Sequence, residues 1–183
     1  MRKDFRGSGQ MRVETERLMI TEFTMDMARA VHENSLDEDN RRFVPDEVFE
    51  TVDNACETLE FLISQYGSTG GPLVYPVLIK SSGENIGYVQ MAPLDDGGWE
   101  VGYHIAKKHT GNGYATEAVK AFLPVITEMI GISEVYGICL SENAASKHVL
   151  LKCGFVPVFE GTGFYQGEKR VVFRSVWRRS YRL

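Results

Sequence analysis

Residues 99–116 constrain the fold more than any other stretch of the chain. Trp99-Glu100-Val101-Gly102-Tyr103-His104-Ile105 alternates strictly. On a strand, Trp99, Val101, Tyr103 and Ile105 share one face, and Glu100, Gly102 and His104 share the other. Then Thr110-Gly111-Asn112-Gly113-Tyr114-Ala115-Thr116 leads into a period of 3.6, with Ala115, Ala118, Val119, Phe122, Val125, Ile126 and Met129 on one stripe. This succession predicts a strand, a tight loop and a helix from about Ala115 to Ile130, which Pro124 is expected to kink. Glycines let the loop backbone turn sharply and approach a ligand. The amides at a helix start, with the positive end of its dipole, suit a phosphate. A tight turn without a ligand has the same signature, so the loop alone does not decide.

The flanking segments extend the sheet. Leu73–Lys80, Ile86–Met91 and Trp99–Ile105 are separated by Ser82-Gly83 and Asp95-Asp96-Gly97-Gly98, which predicts an antiparallel meander. Pro76 belongs at the start of its strand or at a bulge. Val135–Leu140 follows the helix, and a right-handed crossover makes it parallel to 99–105. Arg17–Phe23 reads as a strand, Met25–Ser35 as a short helix, and Asp37–Glu50 as a charged mobile segment. Thr51 or Asp53 caps a helix reaching Tyr66, and Asn143–Cys153 forms another, closed by Gly154. Phe155–Gly161 and Val171–Trp177 form a hairpin around Gly163 and Gly167. The fold class expected is α/β: a mixed, mostly antiparallel twisted sheet with flanking helices and a central parallel βαβ unit. The 183 residues contain no repeat or linker. Residues 1–12 are expected to form a flexible tail, with Met11 an alternative start, and residues 13–183 a single domain.

Composition excludes several functions. The net charge of −5 argues against a nucleic-acid surface, and the arginines at 174, 178, 179 and 182 read as solvated strand ends and tail. No apolar run approaches the roughly 18 residues that span a bilayer. The first residues lack the apolar stretch of a signal peptide, so a cytoplasmic, membrane-free protein is expected. Cys56, Cys139 and Cys153 are odd in number, widely spaced and without metal-ligand spacing, so they read as buried thiols, and no metal is expected. The loop lacks the Gly-Lys-Ser/Thr of a Walker motif. Thr116 stands where a dinucleotide fold needs its third glycine.

Glu100-Val101-Gly102-Tyr103-His104-Ile105, Gly111-x-Gly113-Tyr114-Ala115-Thr116-Glu117-Ala118, Asn143-x-x-Ser146 and Lys152-Cys153-Gly154-Phe155 resemble the general N-acetyltransferase (GNAT) superfamily, in order and in spacing. The branch most resembled contains the ribosomal-protein N-terminal acetyltransferases, and the resemblance runs from about Thr15 to Trp177. It implies acetyl-CoA as acyl donor and a loop, Gly111, Asn112, Gly113, Tyr114, Ala115 and Thr116, that holds the coenzyme pyrophosphate through backbone amides. Thr110 stands where the family usually has Gln or Arg, which should weaken affinity without abolishing it. The resemblance also implies that strands 99–105 and 135–140 splay, and that pantetheine pairs with the exposed edge at His104, Ile105 and Ala106.

An amine attacking a thioester must be neutral. At pH 7 that costs an alkylamine with pKa near 10 roughly 4 kcal/mol and an α-amine near 8 about 1.4 kcal/mol. A positioned base contributes a factor of about 10² to 10⁴. Glu100 aligns with the glutamate that histone-acetylating members carry on this strand and is the candidate base; a solvated strand glutamate is the plain alternative. His104 could titrate usefully, or simply pack beside the coenzyme. Many family members place an acidic tyrosine seven residues after the asparagine, but here that position is Leu150. Ser146 is then the candidate proton donor to the leaving thiolate. Asn143 is expected to cap its helix, and both residues to touch the coenzyme. The acceptor is expected to be an amine-bearing small molecule or a peptide N-terminus, met by residues 37–50 and 162–170. The sequence does not resolve the oligomeric state. An inactive acyl-CoA-binding module and a nucleotide-binding oxidoreductase are the rival readings.

Overall fold

The strict alternation becomes β5 (Trp99–Ile105), with Val101 and Ile105 in the core. The computed structural model describes residues 10–68 and 70–179. They form one eight-stranded sheet with β1 (Val13–Glu14), β2 (Leu18–Ile20), β3 (Leu73–Ile79), β4 (Asn85–Pro93), β5, β6 (Glu134–Leu140), β7 (Val156–Tyr165) and β8 (Glu168–Arg178) in the order β1-β2-β3-β4-β5-β6-β8-β7. All neighbours are antiparallel except β5 and β6. The helices are α1 (Ala28–Ser35), α2 (Glu38–Phe43), α3 (Val52–Ser64), α4 (Tyr114–Ile130) and α5 (Ala144–Lys152).

The parallel pair is joined through α4, as the crossover rule requires. It shares a single register pair, Glu100 with Tyr136. Beyond that point the ladder stops, so β5 runs toward Ile105 without β6 as a partner.

Packing follows the periods. Ala118, Val119, Phe122, Leu123 and Ile126 of α4 are buried against Tyr75, Val89, Met91 and Val101 on one face of the sheet. Complete burial of each large side chain contributes about 1.5–3 kcal/mol. On the other face Ala28, Ala55 and Leu59 from α1 and α3 pack with Phe23 and Val74. Thr51 caps α3 by accepting from the Asn54 amide at 3.1 Å.

Several expectations are corrected. Met11, placed in the tail, is buried in the main core, and its amide donates to Glu22; residues 1–9 lie outside the described residues. The segment 37–50 contains α2, capped by Asp37 accepting from the Asn40 amide, followed by a short 3-10 turn at Pro45–Glu47. Pro76 sits in mid-strand. It is tolerated because β2 pairs with β3 only as far as Val77, so β3 is an edge at that point, beside a bulge at Val77/Leu78. The last hairpin turns at Gln166-Gly167, with φ of 51° and 76°, the pair of positive angles that a two-residue I′ turn demands. Its strands are therefore longer than expected.

Candidate active site

The register of β4 on β5 sets Tyr88 opposite His104, Gln90 opposite Gly102, and Ala92 opposite Glu100. This face opens into a cleft of about 900 Å³. Its walls come from α2 and the Pro45–Glu47 turn, from β6 and the start of α5, and from the tip of the β7–β8 hairpin. The two segments expected on the acceptor side, 37–50 and 162–170, both contribute to it through residues such as Glu47 and Tyr165.

Glu100 lies deep in the cleft. Burial pushes its carboxyl up to about 8, with the charge of Glu47 adding to the effect and Arg174 and the Ile138 amide opposing it. Glu47 is raised to about 7 by burial, opposed by a hydrogen bond from Gln90 and assisted by Asp46. Gln90 Nε2 donates to Glu47 Oε1 at 3.3 Å, and Glu47 Oε2 is buried without a hydrogen-bond partner. Gly102 makes this reach possible. A Cβ there would stand 2.5 Å from Gln90 Nε2 and 2.7 Å from its Cγ, so any side chain at 102 would displace Gln90. Burial is the largest cause of both shifts, and the charge of Glu47 adds to that on Glu100.

His104 is tied to the cleft wall. Its Nε2 lies 3.2 Å from Asp37 Oδ2, which also accepts from the Lys107 amide, and its ring leans on Tyr88. Burial lowers its pKa, and Asp37 opposes that shift. Next along, both backbone groups of Ala106 are engaged: the amide donates to Ile86 O at 2.8 Å, and the carbonyl accepts from the His109 amide at 2.8 Å. His104 has the same strand parity as Ala106 and turns its backbone groups to β4, so the open edge belongs to Ile105.

The glycine loop sits beyond the end of β5, outside the cleft lining. Gly111 and Gly113 have φ of 81° and 79°, and Gly113 is the N-cap of α4 with no side chain occupying the helix start. The loop is braced from beneath. Asn112 Nδ2 donates to His109 O and Thr110 O, the Thr110 hydroxyl donates to Lys107 O, and Arg17 donates to Asn112 O at 3.0 Å while pairing with Glu117. Arg17 also lies 4.5 Å over the ring of Tyr114. The upper side is open, since a Cβ at Gly111 would meet nothing within 4 Å.

Asn143 caps α5 by accepting from the Ser146 amide at 3.0 Å. The Tyr103 hydroxyl donates to Ser146 O at 3.0 Å and lies 2.9 Å from Ser146 Oγ. Burial raises the Tyr103 pKa, so this phenol stays protonated at physiological pH. Leu150 is buried against Gly137, where a Cβ would come within 2.3 Å of it. The structure thus brings Glu100, His104, Asn143 and Ser146 to one cleft, while Ile105, Ala106 and residues 111–116 are not part of its lining. Glu47 and Tyr165 fall within the segments expected on the acceptor side but were not singled out there; Gln90, Tyr103 and Arg174 went unread as site residues, and only the glycine at 102 hinted at Gln90.

A half-splayed parallel pair, the glycine-capped helix that joins its two strands and the cleft over β5 frame the candidate site. Residues 17–156 match the acetyltransferase (GNAT) domain family, and the chain belongs to that family. It is 25% identical over 145 residues to an uncharacterised N-acetyltransferase, YoaA, of Bacillus subtilis, covering 78% of this chain and 81% of that protein. Among solved structures, a GNAT-family acetyltransferase of Bacillus anthracis superposes with a TM-score of 0.77 at 22% identity, covering 92% of this chain and 98% of the other. RimL, a ribosomal L7/L12 α-N-protein acetyltransferase in complex with coenzyme A, does so with 0.76 at 14% identity and the same coverage. The chain is an acetyl-CoA-dependent N-acetyltransferase.

Proposed function

We propose that the chain moves an acetyl group from acetyl-CoA to a primary amine by direct attack in a ternary complex, within a single domain and in the cytoplasm. The observation that carries this reading is the half-buried Glu100 carboxyl that lines the cleft, on the strand that leads to the glycine loop. Gly111–Thr116 receive the pyrophosphate on the amides at the start of α4. Ile105 offers strand edge to pantetheine, with His104 and Ala106 as packing contacts. Coenzyme A is seen bound to RimL, whose fold is similar and whose substrate is a protein α-amine. For this chain the acceptor is an amine-bearing small molecule or a peptide N-terminus.

Glu100, directly or through one water, takes a proton from the attacking amine. The leaving thiolate takes its proton from Ser146 Oγ, which is resupplied through the Tyr103 hydroxyl 2.9 Å away, and the phenol regains a proton from the solvent into which the amine's second proton is released. A carboxyl held near 8 is mostly protonated at pH 7, so wild-type kcat/KM should climb as pH rises toward 8. The test is Glu100→Gln, followed by free-thiol release over a panel of amines. Turnover should fall roughly 10²-fold or more at neutral pH while the KM for acetyl-CoA is nearly unchanged. The loss should shrink as pH approaches the amine pKa, where the substrate deprotonates itself. Full turnover at neutral pH would return Glu100 to a structural role.

A further inference from the structure

We infer that Glu47 is the second carboxyl of the acceptor site, and that together with Glu100 it selects an amine arriving as an alkylammonium cation. The inference deepens the proposed function and rests on it for the identity of the base.

Three observations support it. The first is construction. Gln90 can hold Glu47 only because residue 102 has no side chain, so the Gly102–Gln90–Glu47 stack is a built arrangement. Gln90 satisfies one carboxylate oxygen and leaves Oε2 buried with no partner. That oxygen suits the N–H of a bound cation, since an unpaired buried carboxylate is otherwise costly.

The second is the distribution of charge. At the cleft rim Asp39 is paired with Lys107, Asp96 with Arg174, and Glu142 with Arg42. Among the described residues Glu47 and Glu100 have no ion-pair partner. Arg174 acts on Glu100 through space, but its guanidinium is held by Asp96 and stacked 4.1 Å over Tyr136. The remaining titratable groups around the pair are Asp46, Tyr165, Tyr103 and Cys139, with Asp95 and His104 also on the cleft lining; none is a lysine or arginine, and His104 is held by Asp37.

The third is proton balance. Both carboxyls are raised, to about 7 and about 8, so near neutral pH the empty pair retains a proton. A cation entering between them favours ionisation of both and expels that proton to solvent. The ammonium then gives one proton to Glu100 and the neutral amine attacks the thioester carbon, forming the N–C bond. The C–S bond breaks, the nitrogen loses its second proton, and the thiolate takes one. The products are the amide, coenzyme A thiol and one proton returned to solvent.

Calorimetry on enzyme saturated with coenzyme A tests this without turnover. Ethylamine, cationic at pH 7, is compared with trifluoroethylamine, largely uncharged, in buffers of different ionisation enthalpy. Wild type should favour ethylamine and release close to one proton on binding it. Glu47→Gln should weaken ethylamine at least tenfold, cut proton release by at least half, and leave trifluoroethylamine within twofold. Gly102→Ala, which pushes Gln90 off Glu47, should weaken ethylamine in the same direction. Equal binding of the two amines by wild type, binding of neither, or an equal loss of both in Glu47→Gln would overturn the inference. Undiminished turnover in Glu100→Gln would defeat the base reading instead, and would leave these binding results standing.

Discussion

Replacing Glu47 by glutamine removes a carboxyl that folding carries into a poorly hydrated place, and its effect on stability can be worked out in sign and size. In the native chain the group titrates at about 7 against an ordinary 4.5. Below pH 4.5 it is neutral in both states, so folding incurs no ionisation penalty. As pH rises, the unfolded chain ionises first and stability falls progressively until pH passes 7, after which the loss is constant. The displacement from 4.5 to about 7 corresponds to about 3 kcal/mol. Glutamine keeps the acceptor that Gln90 uses and replaces the unpartnered oxygen with an amide nitrogen. Wild type and variant should therefore differ by no more than about 1 kcal/mol at pH 4.5. At pH 8.5 the variant should be the more stable by about 3 kcal/mol, roughly 6–12 °C in Tm for a chain of this size. Thermal unfolding followed by circular dichroism at the two pH values, without coenzyme or amine, measures it. Parallel stability curves for the two proteins would refute the burial argument. Glu100→Gln should show the same sign, with stability lost between pH 4.5 and about 8. The double variant should gain less than the sum, because each substitution relaxes the neighbouring carboxyl.

Two further outcomes bear on the coenzyme and on the proton donor. Gly113→Asp places a negative side chain at the start of α4, on a residue with φ of 79°, and should abolish coenzyme A binding; unchanged calorimetric affinity in the folded variant would remove the pyrophosphate from this loop. Ser146→Ala should lower turnover at saturating acetyl-CoA, and Tyr103→Phe should lower it less, because Ser146 Oγ stands between the phenol and the thiolate in the proposed relay. A Ser146→Ala enzyme with full turnover would dismiss the hydroxyl as proton donor.

The parts of this molecule legible in the sequence are those governed by local periodicity. β5, α4 and the loop between them follow from a period of two, a glycine pair and a period of 3.6, and Asn143 and Thr51 cap the helices their chemistry suits. The parts that were hidden depend on contacts between distant segments. α2 has a charged sequence without an apolar stripe, and it is anchored by Asp37, whose other oxygen reaches His104 sixty-seven residues away. Tyr103 falls on the core face by alternation. There its phenol reaches Ser146 on α5, a contact between segments 43 residues apart. Gly102 shows where the limit of sequence reading lies. A glycine in mid-strand marks a place where something approaches closely, and the obvious candidate beside a glutamate and a histidine is a ligand. The space is filled instead by Gln90 from the adjacent strand, on its way to a glutamate from a segment that showed no regular pattern. The missing side chain could be read from the sequence, but what occupies its place is set by the cross-strand register. That occupant, Gln90, is what places a second carboxyl in the cleft beside Glu100.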